Sequence, residues 1–255
     1  MTLMDLMDEH PIYSTKALFV TGTDTDIGKT YITRLLIKGF QQREIPVFGI
    51  KPIITGFQRN RTQMLQDDCE IIKEACLSIK PTYYTPLLRQ YVGGPIEAYK
   101  ESMAPVSAAR LEGRRFHWQP VQDLLKTILD DCTFESVVPV VEGVGGPLVP
   151  LGKNYFVADI ISELKLDAVL VTRTALGTIS HTLTALESLQ KRGVNVISVI
   201  ASRATTTGEL NPVERSSLEE LIEQLPPEMP FYLVQQGGSE LVPVQWILDQ
   251  LARKV

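Results

Sequence analysis

From position 16 onward, short unbroken apolar runs alternate with longer stretches whose apolar residues recur at three- and four-residue spacing. Unbroken runs bounded by turn residues predict buried strands, and the 3.6-residue period predicts amphipathic helices. ALFVT at 17–21, VFGI at 47–50, SVVPVVEG at 136–143, AVLVT at 168–172, VISVIA at 196–201 and FYLV at 231–234 are the predicted strands. Helical periodicity covers 29–43, where Ile32, Leu35, Leu36, Gly39 and Phe40 share a face, then 69–77, 106–111 and 121–129. It returns over 179–191, 214–224 and 244–253. Strands apolar on both faces, alternating with helices, predict an α/β fold: a doubly wound, mostly parallel sheet with helices on both faces. Pro139 has no N–H for a ladder and predicts an irregular start to its strand. The Gly- and Pro-containing segment 80–105 is the most loop-like, and it lies inside the domain. Residues 1–15 read as a flexible leader and 16–255 as a single domain.

Composition narrows the class. A chain of 255 residues with 44% apolar content buries a full core. Net charge −5 and a pI near 5.4 argue against nucleic acid or an anionic membrane as the main partner. Cys69, Cys76 and Cys132 show no C-x-x-C spacing and no clustered histidine, which excludes a disulfide framework or zinc site and fits a reducing compartment. The start of the chain is broken by Asp5, Asp8 and Glu9 and lacks the pattern of a signal peptide. No stretch has the apolar length of a membrane span. The chain reads as cytoplasmic.

The chemistry gathers at strand ends, where parallel α/β sheets bind ligands. VTGTDTDIGKT at 20–30 runs from a strand into a helix and ends in the Gly28-Lys29-Thr30 of a phosphate-binding loop. Backbone N–H groups and the helix dipole there suit phosphate, Lys29 reaches terminal phosphates, and the Thr30 hydroxyl suits Mg²⁺. Its opening is unusual: Thr23 stands where a Walker A glycine is expected, and Asp24 and Asp26 put negative charge beside a phosphate cradle. KPIITG at 51–56 follows the second strand and aims Lys51 at the same edge, although alone it reads more readily as a solvated lysine. EGVGG at 142–146 places a carboxylate and three glycines after the third, as a metal-linked acid or a Gly-rich turn. By spacing alone, Asp67-Asp68 serves as a helix N-cap or as a Mg²⁺ ligand. His117 and His181 fall in helical surroundings and read as structural.

GTDTDIGKT, KPIITG, Asp68, EGVGGPLVPL at 142–151 and LGTISH at 176–181, in this order between positions 22 and 181, resemble the dethiobiotin synthetase family. That family has the G-T-D-T opening in place of the usual glycine. The resemblance implies a homodimeric P-loop ligase that uses ATP and Mg²⁺ to join CO₂ to 7,8-diaminopelargonate. It implies Lys29 and Lys51 as catalytic groups, and Mg²⁺ held by Thr30, Asp68 and Glu142. Nucleotide contacts would come from Thr25, Asp26, Ile27, Gly28, Lys29, Thr30 and Tyr31, with Glu142, Gly145, Ser202 and Arg203. Thr23, Lys51 and Thr55 would meet the substrate, Asp26 would face its amines, and Gly177, Thr178, Ile179 and Ser180 of the partner subunit would take its far carboxylate. Related amide ligases carry a glutaminase domain that this chain lacks, and ParA-like nucleotide switches carry an early loop lysine that residues 23–26 do not supply. Three departures stand out: Ala104-Pro105-Val106 replaces P-x-S-P-H, Ser202-Arg203 replaces the Asn-Asp that reads adenine, and no G-x-I-P segment occurs near 229–234. Ser202 and Arg203 predict a nucleotide held mainly by its triphosphate, with ATP weakly selected over CTP or GTP.

Overall fold

The computed structural model describes residues 17–57, 67–79, 81–203 and 208–235. The leader at 1–15 and the helix expected over 244–253 lie outside the described residues. Six strands, β1 (Leu18–Gly22), β2 (Val47–Ile50), β5 (Val138–Glu142), β8 (Asp167–Arg173), β9 (Val196–Arg203) and β10 (Phe231–Gln235), form one parallel sheet in the order β10-β9-β8-β1-β5-β2. Every residue of β1, β2, β5 and β9 is buried, as strands covered on both faces require.

Winding reverses at β1. The chain moves one way from β1 through α1 (Lys29–Gln41) to β2, and the other way from β8 through α7 (Thr178–Gln190) and α8 (Pro212–Gln224) to β10. Right-handed crossovers then put α1 on one face and α7 and α8 on the other. The crevice between β1 and β8 is the topological switch point, where ligands of such sheets bind. α1 packs Ile32, Leu36, Ile37 and Phe40 into the core, and α2 (Asp68–Leu77) packs beside it through Ile72 and Cys76. None of the described helices is long and apolar enough to cross a membrane.

β5 lies between β1 and β2, so Pro139 sits inside the sheet. Val138 N donates to Pro46 O (2.8 Å) on the β2 side, whereas Gly143 N donates to Val20 O (2.9 Å) on the β1 side. Odd-numbered amides of β5 thus face β1. The missing N–H of Pro139 falls below Leu18↔Val140, where that ladder begins. The strand is regular toward β2 from Val138 and begins late toward β1, so the irregularity is confined to one edge.

Segment 81–105 is largely turns and bends but carries two short elements. It holds α3 (Pro86–Tyr91), capped by the Thr85 hydroxyl that accepts from Leu88 N, and β4 (Glu97–Tyr99). β4 pairs in parallel with β3 (Ile53–Thr55). The remaining elements are α4 (Pro105–Leu111), α5 (Trp118–Phe134), the β6–β7 hairpin (Pro150–Gly152, Tyr155–Phe156) and α6 (Val157–Glu163).

The β3–β4 layer seats the chain around Lys51. Gly94 has φ +86°, and an added Cβ would stand 2.3 Å from the Lys51 carbonyl oxygen. A side chain there meets both left-handed backbone strain and a backbone clash. Gly94→Ala is expected to lower unfolding stability by about 2 kcal/mol or more, read from urea midpoints at unchanged slope. A loss under about 0.5 kcal/mol would show that the turn yields freely.

Candidate functional site

Sheet order explains the site. Because β5 separates β1 from β2, the carboxylate ending β5, Glu142, lies between the phosphate loop after β1 and Lys51 after β2. Gly28 takes φ 94° as α1 begins and turns the loop amides toward the cleft. The Thr30 hydroxyl donates to Glu142 Oε1 (2.8 Å), and Lys51 Nζ donates to the same oxygen (2.8 Å) and to Asp68 Oδ2. Glu142 Oε2 is buried and lacks a hydrogen-bond partner. Asp67 and Asp68 divide the two roles that spacing left open. The Asp67 side chain caps α2 by accepting from Glu70 N (2.9 Å), and Asp68 turns to Lys51.

The two lysines differ electrostatically. Burial works against the charge on Lys51, but Glu142 and then Asp68 outweigh it and raise its pKa, so it stays cationic. At Lys29, burial prevails over the attraction of Glu142 and lowers the pKa to about 8. Its ammonium rests on the loop's own Asp24 carbonyl (2.6 Å). Asp68 is held below the usual carboxylate range: burial opposes ionisation, and Lys51 overrides it. The cysteines are free, buried and inert, with burial raising each thiol pKa, that of Cys76 to about 12.

These groups open into a cleft of about 860 Å³. Thr25, Asp26, Ile27, Gly28, Lys29 and Thr30 form its floor, with Lys51, Thr55, Asp68, Glu142 and Gly145 beside them. Ser102, Met103 and Ala104 close one end, and Arg173, Thr174, Ala175, Ser202, Arg203 and Glu214 close the other. Thr23, Tyr31 and residues 177–180 are not in its wall. Thr23 N donates to Val171 O (2.9 Å), and the Tyr31 hydroxyl donates to Gln235 O (3.0 Å). The Thr178 hydroxyl is buried and donates to Arg173 O (2.6 Å). Gly177 starts α7 at φ 92°, and Ser180 faces solvent.

Arg173 and Glu214 were not foreseen. Arg173 NH2 reaches Asp24 Oδ2 (3.1 Å) and lies 3.2 Å from His181 Nδ1, so the first loop aspartate is neutralised from β8 rather than from the loop. The strand-end rule that singled out Lys51 and Glu142 applies equally to Arg173. Arg203, expected to contact the nucleotide, lies in the cleft wall with its Nε buried and unpartnered. Its NH1 donates to Gly208 O (2.7 Å), and its NH2 reaches Glu214 Oε2 (3.3 Å) and Glu209 O (3.4 Å). Among the described residues no group of three or more His, Cys, Asp or Glu side chains is placed to hold a metal. Two carboxylates, a hydroxyl and the orphaned Glu142 oxygen nonetheless suit Mg²⁺, which takes one or two carboxylates and completes its shell with phosphate oxygens and water.

Lys29 supplies a pH test. Triphosphate prefers the charged amine, so affinity is full below pH 8 and falls by up to about tenfold per pH unit above it. Equilibrium titration with a non-hydrolysable ATP analogue reads this, and Lys29→Arg, charged throughout, should flatten the profile. A wild-type profile flat to pH 9.5 contradicts the assignment.

A family profile described as an AAA domain matches residues 16–230. The chain is 32% identical over 218 residues to the ATP-dependent dethiobiotin synthetase BioD of Bacillus velezensis, covering 83% of this chain and 84% of that protein. It is 37% identical over 185 residues to that of Lysinibacillus sphaericus, covering 71% and 73%. The synthetase of Methanocaldococcus jannaschii is 30% identical over 204 residues, covering 78% and 85%. Among solved structures, the MinC:MinD cell division complex of Aquifex aeolicus aligns at TM-score 0.50 and 13% identity, over 94% of this chain and 95% of that one, and shows the fold alone. The phosphate loop, the strand-end lysine and the buried glutamate therefore sit in a chain that belongs to the ATP-dependent dethiobiotin synthetase family.

Proposed function

We propose that the protein carboxylates 7,8-diaminopelargonate with CO₂ and closes the cyclic urea of dethiobiotin, converting ATP to ADP and phosphate. The observation that carries this is the buried Thr30–Glu142–Lys51–Asp68 cluster beside the phosphate loop. It places a permanent cation and two carboxylates where a triphosphate terminus would meet a second anion. One substrate amine captures CO₂ as a carbamate, and a carbamate oxygen takes the γ-phosphoryl group from ATP, releasing ADP. The second amine then attacks the carbonyl carbon of that mixed anhydride, expels phosphate and closes the ring.

Lys51 offsets the charge that builds between carbamate and γ-phosphate, and Thr55 at the end of β3 offers the carbamate a hydroxyl. Lys29 holds the terminal phosphates, and Asp26, exposed at the cleft floor, suits the substrate's amines. Thr30, Asp68 and Glu142 would hold Mg²⁺, which supplies charge neutralisation at the phosphates. Residues 177–180 lie outside the cleft of their own chain, in keeping with a homodimer whose partner contributes that turn. A cytoplasmic location belongs to the same reading. The nucleotide-switch alternative rests on fold likeness alone.

Dethiobiotin formation from diaminopelargonate, bicarbonate and ATP tests the reading, and phosphate release indifferent to diaminopelargonate would refute it. Lys51→Ala is expected to lower kcat at least about a hundredfold while nucleotide Kd shifts less than about threefold. A variant that loses only nucleotide affinity would move Lys51 out of the chemical step. Refolded one-to-one mixtures of Lys29→Ala and Ser180→Ala should recover about a quarter of wild-type sites, because half the dimers regain one intact composite site. Mixtures as inactive as either parent would place each site within one chain.

A further inference from the structure

The end of the cleft formed by β9 and α8 is built as a recognition surface. From Glu142 on β5 to Ser202 on β9 is three strand spacings, about 14 Å along the carboxyl edge of the sheet. With phosphates at the loop and the second anion at Lys51, the nucleoside must run the other way, over β8 and β9. Besides the Nε atoms of Arg173 and Arg203, buried in this wall without a partner, two groups have hydrogen-bonding capacity left. Ser202 is 94% buried (6% accessible), and its hydroxyl has no partner. Glu214, half-covered in the same wall, uses Oε2 to accept from Asn211 N (3.0 Å) and Arg203 NH2 (3.3 Å), while Oε1 accepts from the Thr174 hydroxyl at 2.5 Å. Each carboxylate oxygen takes two donors, so Oε1 has room for one more.

A capping box at the start of α8 accounts for the Oε2 contact with Asn211 alone. It does not require Thr174, at the end of β8, to orient the other oxygen, nor Arg203 to be drawn from the base-facing strand end toward Glu214. The Thr174 and Asn211 bonds favour the ionised form and hold the carboxyl below its usual range, so at neutral pH the group only accepts hydrogen bonds.

Resting on the ligase reading above, we infer that Glu214 and Ser202 together read the nucleobase, the carboxylate accepting an exocyclic amine while the hydroxyl donates to the adjacent ring nitrogen. Adenine and cytosine share that edge, an amine beside an unprotonated ring nitrogen. Uracil and hypoxanthine present the inverse, a carbonyl beside an N–H, and so set an oxygen against the carboxylate. The pocket selects by edge chemistry rather than by ring size. ATP and CTP are both accepted, and UTP and ITP are rejected.

Two matched pairs test this, ATP against ITP and CTP against UTP, since each pair differs at one edge and not in shape. Direct binding to the full-length protein with Mg²⁺ should favour the amino member at least about tenfold in both pairs. Glu214→Gln keeps the capping box, because glutamine serves there too, and its amide accepts or donates by flipping. Both ratios should then fall to within about threefold. Ser202→Ala should weaken ATP and CTP while leaving ITP and UTP unchanged. Equal wild-type affinity within either pair overturns the proposal. So does a Glu214→Gln variant that weakens all four nucleotides alike, the mark of a residue that only positions Arg203. Failure of the ligase reading would look different: edge-selective binding with no dethiobiotin formed.

Discussion

A carboxylate with no solvent access stands at the centre of this protein. Removing the Glu142 charge from water carries an effective penalty of several kcal/mol unless a cation and hydrogen bonds replace the hydration. Lys51 and the Thr30 hydroxyl supply those bonds to one oxygen, and the other is left without a partner. The arrangement depends on strand order. Only with β5 between β1 and β2 can one side chain touch groups from the loops on either side. The shared contacts of Thr30 and Lys51 and the cationic state of Lys51 are consequences of that placement.

What the sequence disclosed follows from the length scale of each signal. Strands buried on both faces are unbroken apolar runs, so β1, β2, β5, β8 and β9 were readable to within one or two residues at most ends. α1 repeats its apolar face over three turns and was equally plain. Six- and seven-residue helices such as α3 and α6 do not complete two turns, and no period can emerge from them. The Thr85-Pro86 pair, a capping hydroxyl followed by a first-turn proline, was the available sign of α3. β3 and β4 are three residues each, too short for alternation to show.

In the site, local order marked Lys29, Thr30, Lys51 and Glu142 because each ends or follows a strand. It was silent on their mutual contacts. Glu142 meets Thr30 across 112 positions, and Arg173 meets Asp24 across 149, pairings set by topology alone. That second contact explains how a phosphate loop tolerates an aspartate: the opposing charge arrives from the other side of the switch point. Asp67 and Asp68 were separable only in three dimensions, since both sit at a helix start and one residue's rotation sends their side chains to different tasks.

Lys29 rests on a carbonyl of the loop it belongs to. Its long side chain has thus given up much of its rotamer freedom before any ligand arrives, and that ordering cost does not fall on association. What the arriving phosphate offers is an exchange of acceptors, a neutral carbonyl for an anionic oxygen. The gain grows with the charge that reaches the lysine. A shorter polyphosphate that stopped short of the lysine would leave the amine on the Asp24 carbonyl.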